Sequence, residues 1–283
     1  MSLPTGFRFS QASLQDYVDC PRRFQLRYLA ALKWPAVEAE PIERNEQRMA
    51  LGEAFHRMVQ QWFLGLSEEA ISRAASDPDL LRWWQSFLAY HPVSSFCGDA
   101  EDTTIRSEYA LDGEVVGHRL VAKYDVLGVS GAGKVTILDW KTSMKRTPDD
   151  ALHARLQTRV YPFLAVQAGT YLNRGKAINP DDVELVYWFP ESPLAPARMR
   201  YSVAQYEADG DYLADLIKRI AVSGDSDFWM TQDRDRCRFC VYRSYCERGT
   251  SAGRLDALAA EWQLDETAGD IDIDFEQIAE IAF

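Results

Sequence analysis

Lys134-Val135-Thr136-Ile137-Leu138-Asp139-Trp140-Lys141-Thr142 is the stretch that decides the fold. It follows the turn signal Gly131-Ala132-Gly133 and stays apolar through Leu138, which predicts a short strand. Residues two apart on a strand share a face, so Asp139 and Lys141 project side by side at its end. Such a pair has two readings. One is a strand-end ion pair, the commoner case for a lone Asp-x-Lys. The other is metal chemistry, with Asp139 an oxygen ligand of a hard cation and Lys141 steering the attacking water. The tripeptide alone does not separate them.

Working outward, the period alternates from Thr103. Thr103–Leu111 and Val115–Val129 read as strands joined at Asp112-Gly113, a hairpin signal, and with 134–141 they predict a three-stranded antiparallel meander. Asp125 falls in the second long strand among Val121, Tyr124, Val126 and Leu127, where a carboxylate is costly unless paired or metal-bound. Downstream, 149–168 reads as a helix with Gln157 and Tyr161 on one face, kinked or offset by Pro162. Asp182–Phe189 and Ala197–Val203 read as strands and 204–222 as a helix. This order predicts an α/β core with a mixed central sheet flanked by helices.

The N-terminal third is helical by its spacing. Residues 10–32 predict two short helices joined at Cys20-Pro21, with Phe24, Tyr28 and Leu32 on one face and Arg22, Arg23 and Arg27 on the others. Residues 45–64 form an amphipathic helix with Met49, Phe55, Val59, Trp62 and Phe63 inward, and His56 beside that stripe. A lone helical histidine is more often structural than a ligand. Two further helices over 67–90 break at Asp77-Pro78. The expected division is a single body over 1–250, with a helical part at about 10–100, a core at about 101–222 and a cysteine segment at about 231–248. An acidic tail covers 251–283, opened by a possible helix over Leu255–Trp262.

Formal net charge is −12, and the tail contributes −8 of it through nine acidic residues and Arg254. The remaining −4 on residues 1–250 leaves room for a local basic cleft, so net charge excludes no nucleic-acid partner. No run is long enough for a membrane span and no secretion signal opens the chain, which predicts a cytoplasmic protein. The five cysteines argue against a disulfide framework. Cys237, Cys240 and Cys246 have a Cys-x2-Cys-x5-Cys metal-ligand spacing, and Cys97 reads as an ordinary buried or loop thiol.

Together these motifs resemble the PD-(D/E)XK nuclease superfamily, in its RecB-like branch with an iron–sulfur cluster, which includes the CRISPR-adaptation exonucleases and the AddB nuclease domain. The resemblance runs from Ser10 to Cys246. It passes through Cys20-Pro21-Arg22-Arg23-Phe24, Leu51-Gly52-Glu53-Ala54-Phe55-His56, Tyr124-Asp125, Leu138-Asp139-Trp140-Lys141-Thr142 and Gln157-x3-Tyr161. Ala122 stands where the family usually has glycine, three residues before the motif aspartate.

The resemblance implies a restriction-endonuclease-like core and a set of roles. His56, Asp125, Asp139 and the Trp140 carbonyl are expected to hold Mg²⁺ or Mn²⁺, with Lys141 on the attacking water and Gln157 and Tyr161 positioning substrate and Lys141. Cys20, Cys237, Cys240 and Cys246 are expected to bind a [4Fe–4S] cluster, with structural zinc as the competing reading. Arginines near the cysteines either line a channel for the DNA backbone or form a solvated surface. The implied activity is metal-dependent hydrolysis of DNA, single-stranded or at duplex ends. With no Walker motif in the chain, unwinding falls to a helicase or CRISPR-adaptation partner. Two rivals stand beside it: a DNA-end-binding subunit with little activity, and a zinc-stapled adaptor working through its acidic tail.

Overall fold

A computed structural model describes residues 2–34, 36–97, 103–143 and 145–255. The predicted tail helix and acidic end therefore fall almost wholly outside the described residues.

The sheet is mixed, as predicted. Its centre is the meander β3 (Thr103–Val115), β4 (His118–Ser130) and β5 (Val135–Trp140), all antiparallel. β6 (Val183–Trp188) adds in parallel to β5, and β7 (Ala197–Arg200) closes that side in antiparallel fashion. The strand β1 (Arg8–Ser10), which the sequence reading did not pick out, lies parallel to the start of β4 at Arg119–Val121. β4 thus pairs along its whole length with β3. On its other edge it pairs with β1 at its beginning and with β5 at its end, beyond Asp125.

Helices cover both faces. On one face lie α1 (Gln11–Asp19), α2 (Pro21–Phe24) with a π-turn over Gln25–Leu29, α7 (Asp149–His153), α8 (Leu156–Ala168) and α9 (Val203–Val222). The other face carries α3 (Ile42–Phe63), α4 (Glu68–Ala74), α5 (Pro78–Tyr90) and α6 (Pro92–Cys97). Its core is unusually aromatic, with Phe55, Trp83, Trp84, Phe87, Trp140 and Trp188 packed at edge-to-face and stacked angles. Cys97 is buried there against Gly128, which pushes its thiol up to about 12.

Two expectations change. The 149–168 helix is two helices, α7 and α8, and the Leu156 amide that opens α8 donates to Gln15 Oε1 of α1 at 3.1 Å. The β3–β4 hairpin turns at Val116-Gly117, both at positive φ (48° and 81°), and Asp112-Gly113 lies inside the ladder. Gly113 serves a different purpose from a turn. A Cβ there would meet Gln167 Oε1 at 2.3 Å and Leu164 Cδ2 at 2.7 Å, so the glycine lets α8 cross close to the strand. The longer register also puts Leu111, Val115, Leu120 and Ala122 into one core face and lets Asp112 pair with Arg119.

A short helix, α10 (Arg234–Arg238), begins the cysteine segment, and the pair β2 (Ala39–Glu40) and β8 (Gly253–Arg254) ties its far end to the N-terminal part. More links join the two: Arg22 N–H to the Trp229 carbonyl (3.1 Å), Tyr242 Oη to the Leu32 carbonyl (2.8 Å), Trp34 Nε1 to Ser244 Oγ (2.9 Å), and the Arg236–Asp19 ion pair.

Candidate active site and cysteine centre

The site lies where β5 ends beside β4. Asp139 is buried at the second-last position of β5, and Lys141 leaves the strand just beyond it with its side chain on the same side. Lys141 Nζ lies 2.8 Å from Asp139 Oδ2 and donates to Gln157 Oε1 at 3.0 Å. Gln157 Nε2 in turn donates to Asp139 Oδ1 at 2.6 Å. The three side chains close a ring that fixes every rotamer in it. Tyr187, opposite Asp139 in the β5–β6 register, lays its ring 5.5 Å below the Lys141 ammonium. Burial pushes the Asp139 carboxyl up to about 7, with Asp125 adding to the rise and Lys141 opposing it.

Asp125 is aimed by the neighbouring strand. Its Oδ2 accepts from the Trp140 backbone N–H at 2.7 Å, and its Oδ1 sits 3.3 Å from His56 Nδ1. α3 therefore delivers His56 to the sheet, as the spacing of Phe55 and Val59 beside it requires. Tyr161 sits one turn after Gln157 on the same helix. Its ring packs on that of Tyr124 at 4.8 Å and its carbonyl accepts from Tyr124 Oη at 2.8 Å, so it braces the strand residue before Asp125 from the core.

Glu108 is the residue the sequence reading missed. Its Oε1 lies 3.9 Å from His56 Nδ1 and its Oε2 2.8 Å from Lys123 Nζ. Burial raises its carboxyl, but His56 and Lys123 outweigh that, and the group sits below its usual range. The signal that finds it is the turn. A hairpin centred on Val116-Gly117 sets Glu108 across from Asp125, whereas one centred on Asp112-Gly113 does not.

Ligand atoms of His56, Glu108 and Asp125 all lie within 4.8 Å of one another, the one such group among the described residues. In an octahedral Mg²⁺ shell, oxygens about 2.1 Å from the ion stand roughly 3.0 Å apart when adjacent and 4.2 Å when opposite. The 3.3 Å and 3.9 Å separations fit that geometry. The donor set, one imidazole and carboxylates, suits Mg²⁺ or Mn²⁺. Asp139 is outside this tight group, held by Lys141 and Gln157 within electrostatic reach of Asp125 and His56.

The four predicted cluster cysteines come together from both ends of the chain. The Cys20 thiol bears electrostatically on Cys237, Cys240 and Cys246, and its Sγ accepts from the Thr231 N–H at 3.4 Å. Burial first, and the neighbouring thiols with it, raises the pKa of Cys237, Cys240 and Cys246, and Cys240 reaches about 11. No three of them meet the 4.8 Å spacing. Four thiolates at 2.3 Å from a tetrahedral zinc would stand about 3.8 Å apart, and a cubane cluster holds its thiolates wider. Four thiolates are a donor set that either group takes. Its arginines divide: Arg23 pairs with Asp16 and Asp19, Arg27 with Asp16, Arg236 with Asp19, and Arg243 is buried on backbone carbonyls, while Arg234 and Arg238 are exposed.

No helix among the described residues is long and apolar enough to cross a membrane. A comparison with curated proteins finds no match. Eighteen chains of solved structures align with this one, and two of them illustrate the likeness. One, the protein SSO0001, is 13% identical at TM-score 0.37, with 84% of this chain and 85% of that one covered. The other, a Eubacterium rectale protein described as a candidate exonuclease, is 11% identical at TM-score 0.45, with 75% and 79% covered. The profile of the PD-(D/E)XK nuclease superfamily matches residues 8–247, a span that runs from β1 past the last cysteine and takes in every residue of the site, and the chain belongs to that superfamily.

Proposed function

We propose that residues 1–250 form a RecB-like nuclease domain that hydrolyses DNA phosphodiester bonds with Mg²⁺ or Mn²⁺, as an exonuclease on single strands or DNA ends. The observation that carries this reading is the meeting of two groups at the end of β5: the His56–Asp125 pair and the Asp139–Lys141–Gln157 ring. His56, Asp125, Asp139 and the Trp140 carbonyl are the ligands in this reading. A cation held by them would supply Lewis-acid chemistry, making water at the site more acidic and offsetting charge on the phosphate.

The chain's own residues do the rest. The Trp140 amide holds Asp125 so that its other oxygen is turned to His56, where a cation would be held. Burial raises the Asp139 carboxyl to about 7, so holding a cation would require it in its ionised form. Lys141, anchored by Gln157 and Asp139, orients the attacking water. Gln157 keeps the ammonium and the carboxylate in register, and Tyr161 braces Tyr124 behind them.

In the same proposal Cys20, Cys237, Cys240 and Cys246 hold a [4Fe–4S] cluster that adds to the hydrogen bonds already joining α1 and α2 to the C-terminal segment. The Cys-x2-Cys-x5-Cys spacing, with Cys20 brought near it, supports the cluster through its resemblance to the RecB-like branch. The preference for DNA, the exonuclease mode and a helicase or CRISPR-adaptation partner rest on the resemblance of the motif order to the RecB-like branch.

The test is cleavage of end-labelled single- and double-stranded DNA and RNA by anaerobically purified protein, with Mg²⁺, Mn²⁺ or EDTA, beside Asp139→Ala. Metal-dependent loss of DNA ends that disappears in the variant supports the reading. A folded, metal-loaded wild type that leaves every substrate intact refutes it.

A further inference from the structure

Glu108 occupies a position that an ordinary strand residue would not. It sits in the middle of β3 with φ at +50°, the left-handed region, which is unfavourable for a non-glycine residue. The Ser107–Val126 and Tyr109–Tyr124 pairs flank it, so it faces Asp125 across the ladder. The pleat also changes hands here. Before this point Ile105 packs into the aromatic core under α3 and α5, and after it Tyr109 and Leu111, of the same parity, pack into the core under α8. On β4 the same crossing separates Val126 from Tyr124 and Ala122.

The consequence is a matched pair of carboxylates. Asp125 has one oxygen tied by the Trp140 amide and the other turned to His56; Glu108 has one oxygen tied by Lys123 and the other turned to the same His56 nitrogen. A cross-strand Glu–Lys ion pair alone would need no left-handed backbone, because extended neighbours already reach each other.

Building on the metal-site reading above, we propose that Glu108 is a direct ligand of the catalytic cation, giving a shell of one imidazole nitrogen and the Trp140 carbonyl with Glu108, Asp125 and Asp139 carboxylates, and that Lys123 holds Glu108 for that task. The extra carboxylate raises the site's affinity, and the imidazole nitrogen favours Mn²⁺ over Mg²⁺.

The measurement is Mn²⁺ binding to the metal-free full chain, followed by the electron paramagnetic resonance of free Mn²⁺, with circular dichroism for the fold. Glu108→Asn and Glu108→Gly are the variants, since both residues accept a positive φ and neither can ligate as an anion. Asp125→Asn is the control. The expected result is a tenfold or greater loss of Mn²⁺ affinity in all three, with the fold retained. Wild-type affinity in both Glu108 variants beside a weakened Asp125→Asn would overturn the Glu108 assignment and leave the nuclease reading standing. Unchanged affinity in all three would overturn both.

Discussion

The Trp140 backbone N–H donates to Asp125 Oδ2 at 2.7 Å, so a strand-edge amide selects which oxygen of the carboxylate points at His56. Removing the side chain and removing only its charge should therefore differ. Asp125→Asn keeps an acceptor for the amide and is expected to fold with a melting temperature close to wild type. Asp125→Ala strands a buried donor and should lose about 1–3 kcal/mol. Both should lose metal-dependent cleavage by roughly a thousandfold, the scale of several kcal/mol of charge stabilisation. Thermal melts beside initial cleavage rates check the split, and equal stability of the two would refute the role given to the amide.

Asp139 gives the pH dependence. Its folded pKa, about 7, lies above its ordinary 3.8, so the metal-free native state binds a proton that the unfolded chain releases. Stability from this group is present at low pH and is lost as pH rises from about 4 through 7. Metal-free protein should therefore melt at falling temperature across that window, and Mg²⁺ or Mn²⁺ should restore stability most strongly above pH 7. Asp139→Asn should flatten the slope. A wild-type slope in that variant would assign the titration elsewhere.

Gln157 links Lys141 and Asp139. Gln157→Ala should lower the cleavage rate by about 10- to 100-fold, as removal of a supporting hydrogen bond does, with little change in DNA affinity. Its pH–rate profile should also shift, because Asp139 loses a donor. An unchanged profile with a lowered rate would mark Gln157 as a packing residue only.

Backbone strain at Glu108 predicts a trade. Metal-free Glu108→Gly should be more stable than wild type by about 1 kcal/mol, since glycine adopts the left-handed conformation without cost. The same change should reduce the stabilisation that Mn²⁺ gives. Differential scanning calorimetry with and without Mn²⁺ measures both effects.

Cys240→Ala tests the cysteine centre. Wild type purified without oxygen should carry iron and labile sulfide and a broad visible absorbance, and the variant should lose all three. Since the bound group would close a chain loop of more than two hundred residues between Cys20 and Cys237, the destabilisation should approach about 5 kcal/mol by the loop-closure scale for a long cross-link. A zinc-containing, colourless wild type would replace the cluster by the tetrahedral alternative.

What the sequence by itself determined was local. Period-two and period-3.6 patterns gave the meander, the flanking helices and the faces of His56, Asp139, Lys141 and Gln157, because burial imposes those periods residue by residue. Cysteine spacing marked 237–246 as a candidate ligand segment, because thiolates that share one ion or cluster sit a few residues apart. Only the tertiary structure decided register and convergence. Asp112-Gly113 has the chemistry of a turn, yet the approach of α8 claims Gly113 and the turn moves to Val116-Gly117. That shift, invisible to any window shorter than the hairpin, brings Glu108 opposite Asp125. The meeting of Cys20 with residues more than two hundred positions away, and the pairing of Arg23, Arg27 and Arg236 with Asp16 and Asp19, likewise depend on packing between segments that no local pattern links.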